Sequence, residues 1–215
     1  MGFFSRLFSK KKKNDSPSLS DKDNPLATSI KEIETAINGL GFVSQKEYLD
    51  ILNNPILNIG AQVGLPDPTN IMEWKCSMSG PQDTPFANGL FFLKIKFPDN
   101  YPNSAPEVSF LTPIYHINVN PKAPNEKQSE SLGHVCISTL NWWSPKNNMR
   151  EVLTDIFALF YLSNPESPYG LERADEFRTN KQLYDAKCKY FTQKYAAMNL
   201  EEKNYTQDWD LTYHQ

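Results

Sequence analysis

The sequence predicts an α+β domain with helices at both ends of an antiparallel sheet. Three observations lead there: apolar residues at helical spacing near both ends, strand-like runs between turn signals in the middle, and a long irregular stretch before the later helices. From Leu26 to Asn38 the residues Leu26, Ile30, Ile33 and Ile37 mark one helical face, and Gly39 stops it. A second helix is predicted over Gln45 to Asn53, ending before Pro55. After the turn-rich Gly64 to Asn70 come three strand candidates, Met72 to Ser79, Gly89 to Phe97 and Val108 to Leu111, each bounded by Gly, Pro or Asn. Short connections between sequential strands make an antiparallel meander. Beyond Pro113 the chain reads as irregular for some thirty residues, an unusual length that points to a functional loop. Asn148 to Leu162 then predicts a buried helix through Val152, Ile156, Leu159 and Phe160, and Arg173 to Met198 predicts two more.

The organisation is a basic, aromatic tail and linker over 1–25, an extra amphipathic helix over 26–40, a core over 41–199 and an acidic-aromatic tail over 200–215. At 39% hydrophobic and 13% aromatic residues, a chain of 215 residues can build a substantial core. The net charge of −3 is unevenly placed: Arg6 and Lys10 to Lys13 lead, leaving 17 bases against 25 acids in the remainder. A basic end on an acidic body argues against nucleic acid as the main partner, because phosphate binding needs bases spread over the folded surface. Phenylalanines followed by four lysines over residues 1–13 suit peripheral contact with an anionic membrane as well as they suit a solvated tail. Cys76, Cys136 and Cys188 are widely separated, which gives neither a disulfide framework nor a zinc signature, and His116, His134 and His214 do not complete one. A reducing, cytoplasmic setting is the natural expectation. No apolar run is long enough for a membrane-spanning helix.

The long loop concentrates the chemistry. His116 and Asn118 stand at one end, Cys136 near the other, and Trp142-Trp143-Ser144-Pro145 closes it. Cys136 lies between Val135 and Ile137 in a strand-like run, the setting of a cysteine that is only core filler. On a strand, His134 would share its face, so a papain-like pair is conceivable, although a hydrolase also needs an orienting group and an oxyanion hole.

Several motifs in order widen the reading. Trp74 opens a stretch running to Gly80-Pro-Gln-Asp-Thr-Pro-Phe86 and Gly89; Phe97-Pro-Asp-Asn-Tyr-Pro-Asn-Ser-Ala-Pro follows; then come Tyr115-His-Ile-Asn and Gly133-His-Val-Cys-Ile-Ser-Thr-Leu with Trp143-Ser-Pro. Together with Asn164-Pro-Glu-Ser-Pro and Tyr184 to Tyr195-Ala, these resemble the ubiquitin-conjugating enzymes over about residues 42–197. The resemblance implies a four-stranded antiparallel meander, a central helix and C-terminal helices. It also implies a thioester to ubiquitin or a related modifier on Cys136, received from an activating enzyme and passed to a lysine or to a ligase cysteine, with no cofactor or metal. By the same resemblance Asn118 steadies the oxyanion, and Tyr115, His116, Ser138 and Trp143 support the loop. Asn103, Ser144, Pro145 and Lys146 face the ligase, and His134 takes no catalytic part.

Four departures qualify it. Ile117 stands where the family has proline, loosening the loop that bears Asn118. Seventeen residues separate Asn118 from Cys136, more than the family commonly has, and the polar stretch from Pro121 to Ser131 reads as a flap beside the thiol. Ser138 and Leu162 occupy positions where the family often has acids that position and deprotonate the lysine, leaving Glu126, Glu130 or Glu166 to serve. Asn103 and Lys146 replace, respectively, a bulky apolar and a small residue, which points away from an ordinary RING or HECT ligase.

Overall fold

Four strands, β1 (Gln62–Gly64), β2 (Glu73–Ser79), β3 (Leu90–Lys96) and β4 (Glu107–Phe110), pair antiparallel in that order, with helices before and after them. The computed structural model describes residues 41–121, 132–197 and 213. The expectations for the basic tail, the helix over 26–40, nearly all of the flap and most of the acidic tail lie outside them. Helix α1 spans Phe42–Asn53, starting three residues before its predicted position; α2 (Ser138–Asn141), α3 (Met149–Leu159), α4 (Leu171–Thr179) and α5 (Lys181–Tyr195) follow the sheet. Among the described residues no helix is long and apolar enough to cross a membrane.

The strands alternate, as a sheet covered on one face must. Trp74, Cys76 and Met78 on β2 stand opposite Ile95, Leu93 and Phe91 on β3, and all six are fully buried. Met149, Val152, Leu153 and Ile156 form the buried stripe of α3, and the two sets belong to one hydrophobic cluster. Each such side chain contributes about 1.5–3 kcal/mol on burial. Helix α3 begins with a capping box in which Glu151 N donates to Asn148 Oδ1 (3.0 Å) and Asn148 N donates to Glu151 Oε2 (3.3 Å). Its packing on α1 is fixed by Glu47, which accepts from Met149 N (2.6 Å) and from the Tyr101 hydroxyl (2.8 Å), and by the Arg150–Asp50 ion pair (2.7 Å).

The structure corrects three boundaries. Strand β1 is only three residues long, too short to show periodicity, and was not among the strand candidates. The irregular stretch contains the one-turn helix α2, directly after the thiol segment. Helix α3 stops at Leu159, short of the expected Leu162, where the buried ring of His116 takes up the Leu159 carbonyl (Nε2 to O, 3.0 Å). That bond satisfies one of the carbonyls a helix end leaves without a partner.

Candidate active site

Two loops converge beside the end of α3. The first, Tyr115 to Asn118, is buried throughout, with Ile117 and Asn118 at zero exposure. Its ties come from the C-terminal helices. The Tyr115 hydroxyl donates to Glu176 (3.1 Å), its carbonyl accepts from the Cys188 thiol (3.1 Å), and Arg173 lies over its ring (4.8 Å) while donating to the His116 carbonyl (3.3 Å). Lys187 pairs with Glu176 behind it. His116 accepts from Asn118 N through Nδ1 (3.0 Å), so Nε2 carries the proton given to Leu159. Burial lowers the His116 pKa to about 4, keeping the ring neutral and structural. The proline position is compensated: the Ile117 N–H, which proline would lack, donates to the buried Tyr184 hydroxyl (3.1 Å).

The Asn118 side chain clasps the 164–167 loop. Nδ2 donates to the carbonyls of Asn164 (2.8 Å) and Ser167 (2.9 Å), and Oδ1 accepts from Asn164 N (2.8 Å). Both amide hydrogens are therefore committed within the protein. Its carbonyl accepts from Cys136 N (2.9 Å), joining this loop to the thiol segment.

The second loop carries Cys136. Its approach is tight: Gly133 has φ +76°, and a Cβ there would meet the Phe110 carbonyl oxygen at 2.1 Å, so no side chain fits where the chain crosses β4. Asn120 N donates to the His134 carbonyl (2.9 Å) and Gly133 N to the Asn120 carbonyl (2.8 Å), pinning the two ends of the insertion together. Residues 134 and 135 form isolated bridges and no strand, so the strand-face pairing of His134 with Cys136 does not arise. The sulfur instead meets the Ser167 hydroxyl (3.0 Å) and accepts from Asn141 Nδ2 (3.2 Å).

Cys136 is half-buried, whereas Cys76 and Cys188 are fully buried. Burial pushes the Cys76 thiol up to about 12 and Cys188 higher still, which leaves both unreactive. Past the thiol, Ser138 is exposed and contributes its carbonyl to Trp142 N (2.9 Å), while Trp142 stands 84% exposed. Trp143 is anchored. Its Nε1 donates to the Pro102 carbonyl (2.7 Å), and it closes an aromatic ladder through Tyr101 (5.7 Å) and Phe97 to Trp74.

That bond ties the chain segment next to Asn103 to the one that leads into Ser144, Pro145 and Lys146. Asn103, Pro145 and Lys146 are exposed, and Ser144 is half-buried. Ser167 and Asn141 are the thiol partners that sequence reasoning missed: Ser167 stands in the Asn164-Pro-Glu-Ser-Pro stretch without a role read into it, and nothing in the local sequence marks Asn141. Tyr169, bonded to the Ile117 carbonyl (2.6 Å), also lies near the sulfur; burial first, then Cys136, raises its pKa. Among the described residues no group of three or more His, Cys, Asp or Glu side chains could hold a metal ion.

The arrangement presents one partly accessible thiol in contact with the Ser167 hydroxyl and the Asn141 amide. Known proteins resemble the chain as a whole. The family model described as "Ubiquitin-conjugating enzyme" matches residues 43–192. The curated "Ubiquitin conjugating enzyme E2 B" of Dictyostelium discoideum is 35% identical over 152 residues, covering 71% of this chain and 95% of that protein. A Plasmodium yoelii crystal structure, described as that of a candidate ubiquitin conjugating enzyme, superposes with a TM-score of 0.63 at 28% identity, covering 75% of this chain and 97% of that one.

Proposed function

Because the chain belongs to the ubiquitin-conjugating enzyme family, we propose that Cys136 accepts ubiquitin or a related modifier as a thioester from an activating enzyme and passes it on. The observation that carries this reading is the contrast among the cysteines: Cys136 alone is accessible, and its sulfur meets the Ser167 hydroxyl and the amide donor of Asn141. A thiol on an open edge suits a reaction in which donor and acceptor are both proteins. Asn118 holds the 164–167 loop against the thiol segment. It serves the oxyanion of the tetrahedral intermediate only when Nδ2 leaves the carbonyls of Asn164 and Ser167.

The acceptor favoured is another cysteine. An attacking lysine amine must lose a proton, and the two positions where the family often has acids hold exposed Ser138 and Leu162, the latter 74% exposed. Glu166 is engaged with Arg178 at 3.6 Å. A thiol acceptor depends less on such a base, because a few per cent of a free thiol is already thiolate at neutral pH. The face formed by Asn103, Ser144, Pro145 and Lys146 meets a ligase that does not rely on an apolar anchor at its centre. Residues 1–13 place a cytoplasmic enzyme on anionic membrane.

Incubation with activating enzyme, ATP and ubiquitin should give an adduct that thiols cleave and that Cys136→Ala abolishes. No adduct with ubiquitin or any ubiquitin-like protein would overturn the reading in favour of a binding scaffold of the same fold. Discharge onto free lysine as fast as onto free cysteine would defeat the acceptor preference. Fractionation of the full chain against one lacking residues 1–13 tests the membrane contact: equal distribution removes it.

A further inference from the structure

Breaking a thioester leaves an electron pair on sulfur, and something must stabilise that developing anion. Asn118 is not free to do so in this arrangement, since both hydrogens of its amide are spent on carbonyls at 2.8 and 2.9 Å and its side chain is fully buried. A different amide reaches the sulfur. Asn141 Nδ2 lies 3.2 Å from Cys136 Sγ, at the exposed end of α2.

Its position is held by the helix and not by chance contact. Asn141 N donates to the Ile137 carbonyl (3.0 Å), Trp142 N donates to the Ser138 carbonyl (2.9 Å), and Thr139 Oγ1 donates to Asp155 on α3. The sulfur is the one side-chain hydrogen-bond partner of this amide among the described residues. A donor to sulfur matters little while the sulfur is a neutral thiol. It strengthens as charge builds, because hydrogen bonds to an ionised acceptor are about twice as strong as those between neutral groups. A contact that tightens along the reaction coordinate accelerates the step instead of merely binding the ground state.

We propose that Asn141 is a catalytic residue that stabilises the Cys136 thiolate as leaving group, an inference that rests on the thioester reading of Cys136. The step balances as follows. The attacking sulfur or nitrogen forms a bond to the thioester carbonyl carbon, the tetrahedral intermediate collapses, and the carbon–Sγ bond breaks. Its electron pair goes to Sγ, which accepts from Asn141 Nδ2–H and Ser167 Oγ–H, and the proton of the nucleophile passes to water. Asn118 shapes the loop that brings Ser167 into place, so the two asparagines have separate duties.

The test compares Asn141→Ala, Asn141→Asp and Asn141→Gln with the parent chain in two assays. Alkylation of the free protein by iodoacetamide at neutral pH reports on the anionic sulfur of Cys136, since Cys76 and Cys188 are fully buried. Single-turnover discharge of the loaded protein onto free cysteine reports on the leaving group. The expectation is a loss of about tenfold in both rates for Ala, the size of one modest charge-assisted hydrogen bond. Asp, of the same shape but carrying negative charge, loses more, and Gln recovers most of the rate. Melting temperatures stay unchanged because the side chain is exposed. Alkylation of the Ala or Asp variant at the parent rate overturns the proposal, as does a loss that merely tracks a lowered melting temperature. If the parent chain forms no thioester with any modifier, the thioester reading fails, while the alkylation series still decides whether Asn141 stabilises the anion.

Discussion

Replacing Tyr184 by phenylalanine isolates the device that substitutes for the family proline. The Ile117 N–H is fully buried and donates to the Tyr184 hydroxyl at 3.1 Å. Removing that oxygen leaves a buried donor without an acceptor, which costs about 1–3 kcal/mol. The hydroxyl also lies against Ser163 and Cys188, so Tyr184→Phe carries further losses not due to Ile117. Ile117→Pro separates them. Proline has no N–H to strand, so in its background the same tyrosine change should cost less, by about 1–2 kcal/mol. Side-chain volume lost at position 117 appears on both arms of the cycle and cancels. The assay is urea unfolding followed by tryptophan fluorescence, with all four proteins also scored for thioester discharge. Because the bond orients the peptide next to Asn118, Tyr184→Phe should slow discharge and the added Ile117→Pro should restore it. Two changes that add within about 0.5 kcal/mol would refute the reasoning, since they would show no coupling between hydroxyl and amide.

Further outcomes follow from the same geometry. Asn118→Asp turns an acceptor toward the carbonyls of Asn164 and Ser167 and should cost about 3 kcal/mol or more, exceeding Asn118→Ala; equal urea midpoints for the two would mean the clasp does not depend on donation. Burial lowers the His116 pKa from 6.5 to about 4, so its contribution is fully present above pH 6.5 and is lost as pH falls, because only the unfolded chain gains the proton in that window. About 1.5 kcal/mol of unfolding free energy should disappear between pH 6.5 and 5 in the parent chain but not in His116→Gln, read by urea titration at each pH. Asn103→Phe with Lys146→Ala should create binding to an isolated RING domain that the parent chain lacks; titration calorimetry showing no gain would remove the apolar anchor as the determinant of partner choice.

The site's residues were legible in the sequence to different degrees, for physical reasons. Cys136, Trp143 and the Tyr115–Asn118 segment stand in short words whose local turn geometry travels with them. The inward residues of β2 and β3 alternate in the sequence itself, so the sheet could be read before it was seen. Which residues would meet the sulfur could not. Ser167 comes from 31 residues away, its place set by Asn118 gripping the 164–167 loop, and Asn141 comes from a one-turn helix too short to show periodicity. The local sequence at Ile117 shows only that proline's restraint is missing, because the hydroxyl that takes up the freed N–H lies 67 residues away. Where the family has proline this chain has an N–H, and the buried oxygen that accepts it belongs to a tyrosine whose ring packs against Tyr115 and Phe177. Proline restrains φ from within the chain, whereas this hydroxyl restrains the same peptide from outside it. The rigidity that holds Asn118 therefore depends on α5 staying docked, and disturbance of α5 reaches the thiol edge through Tyr184.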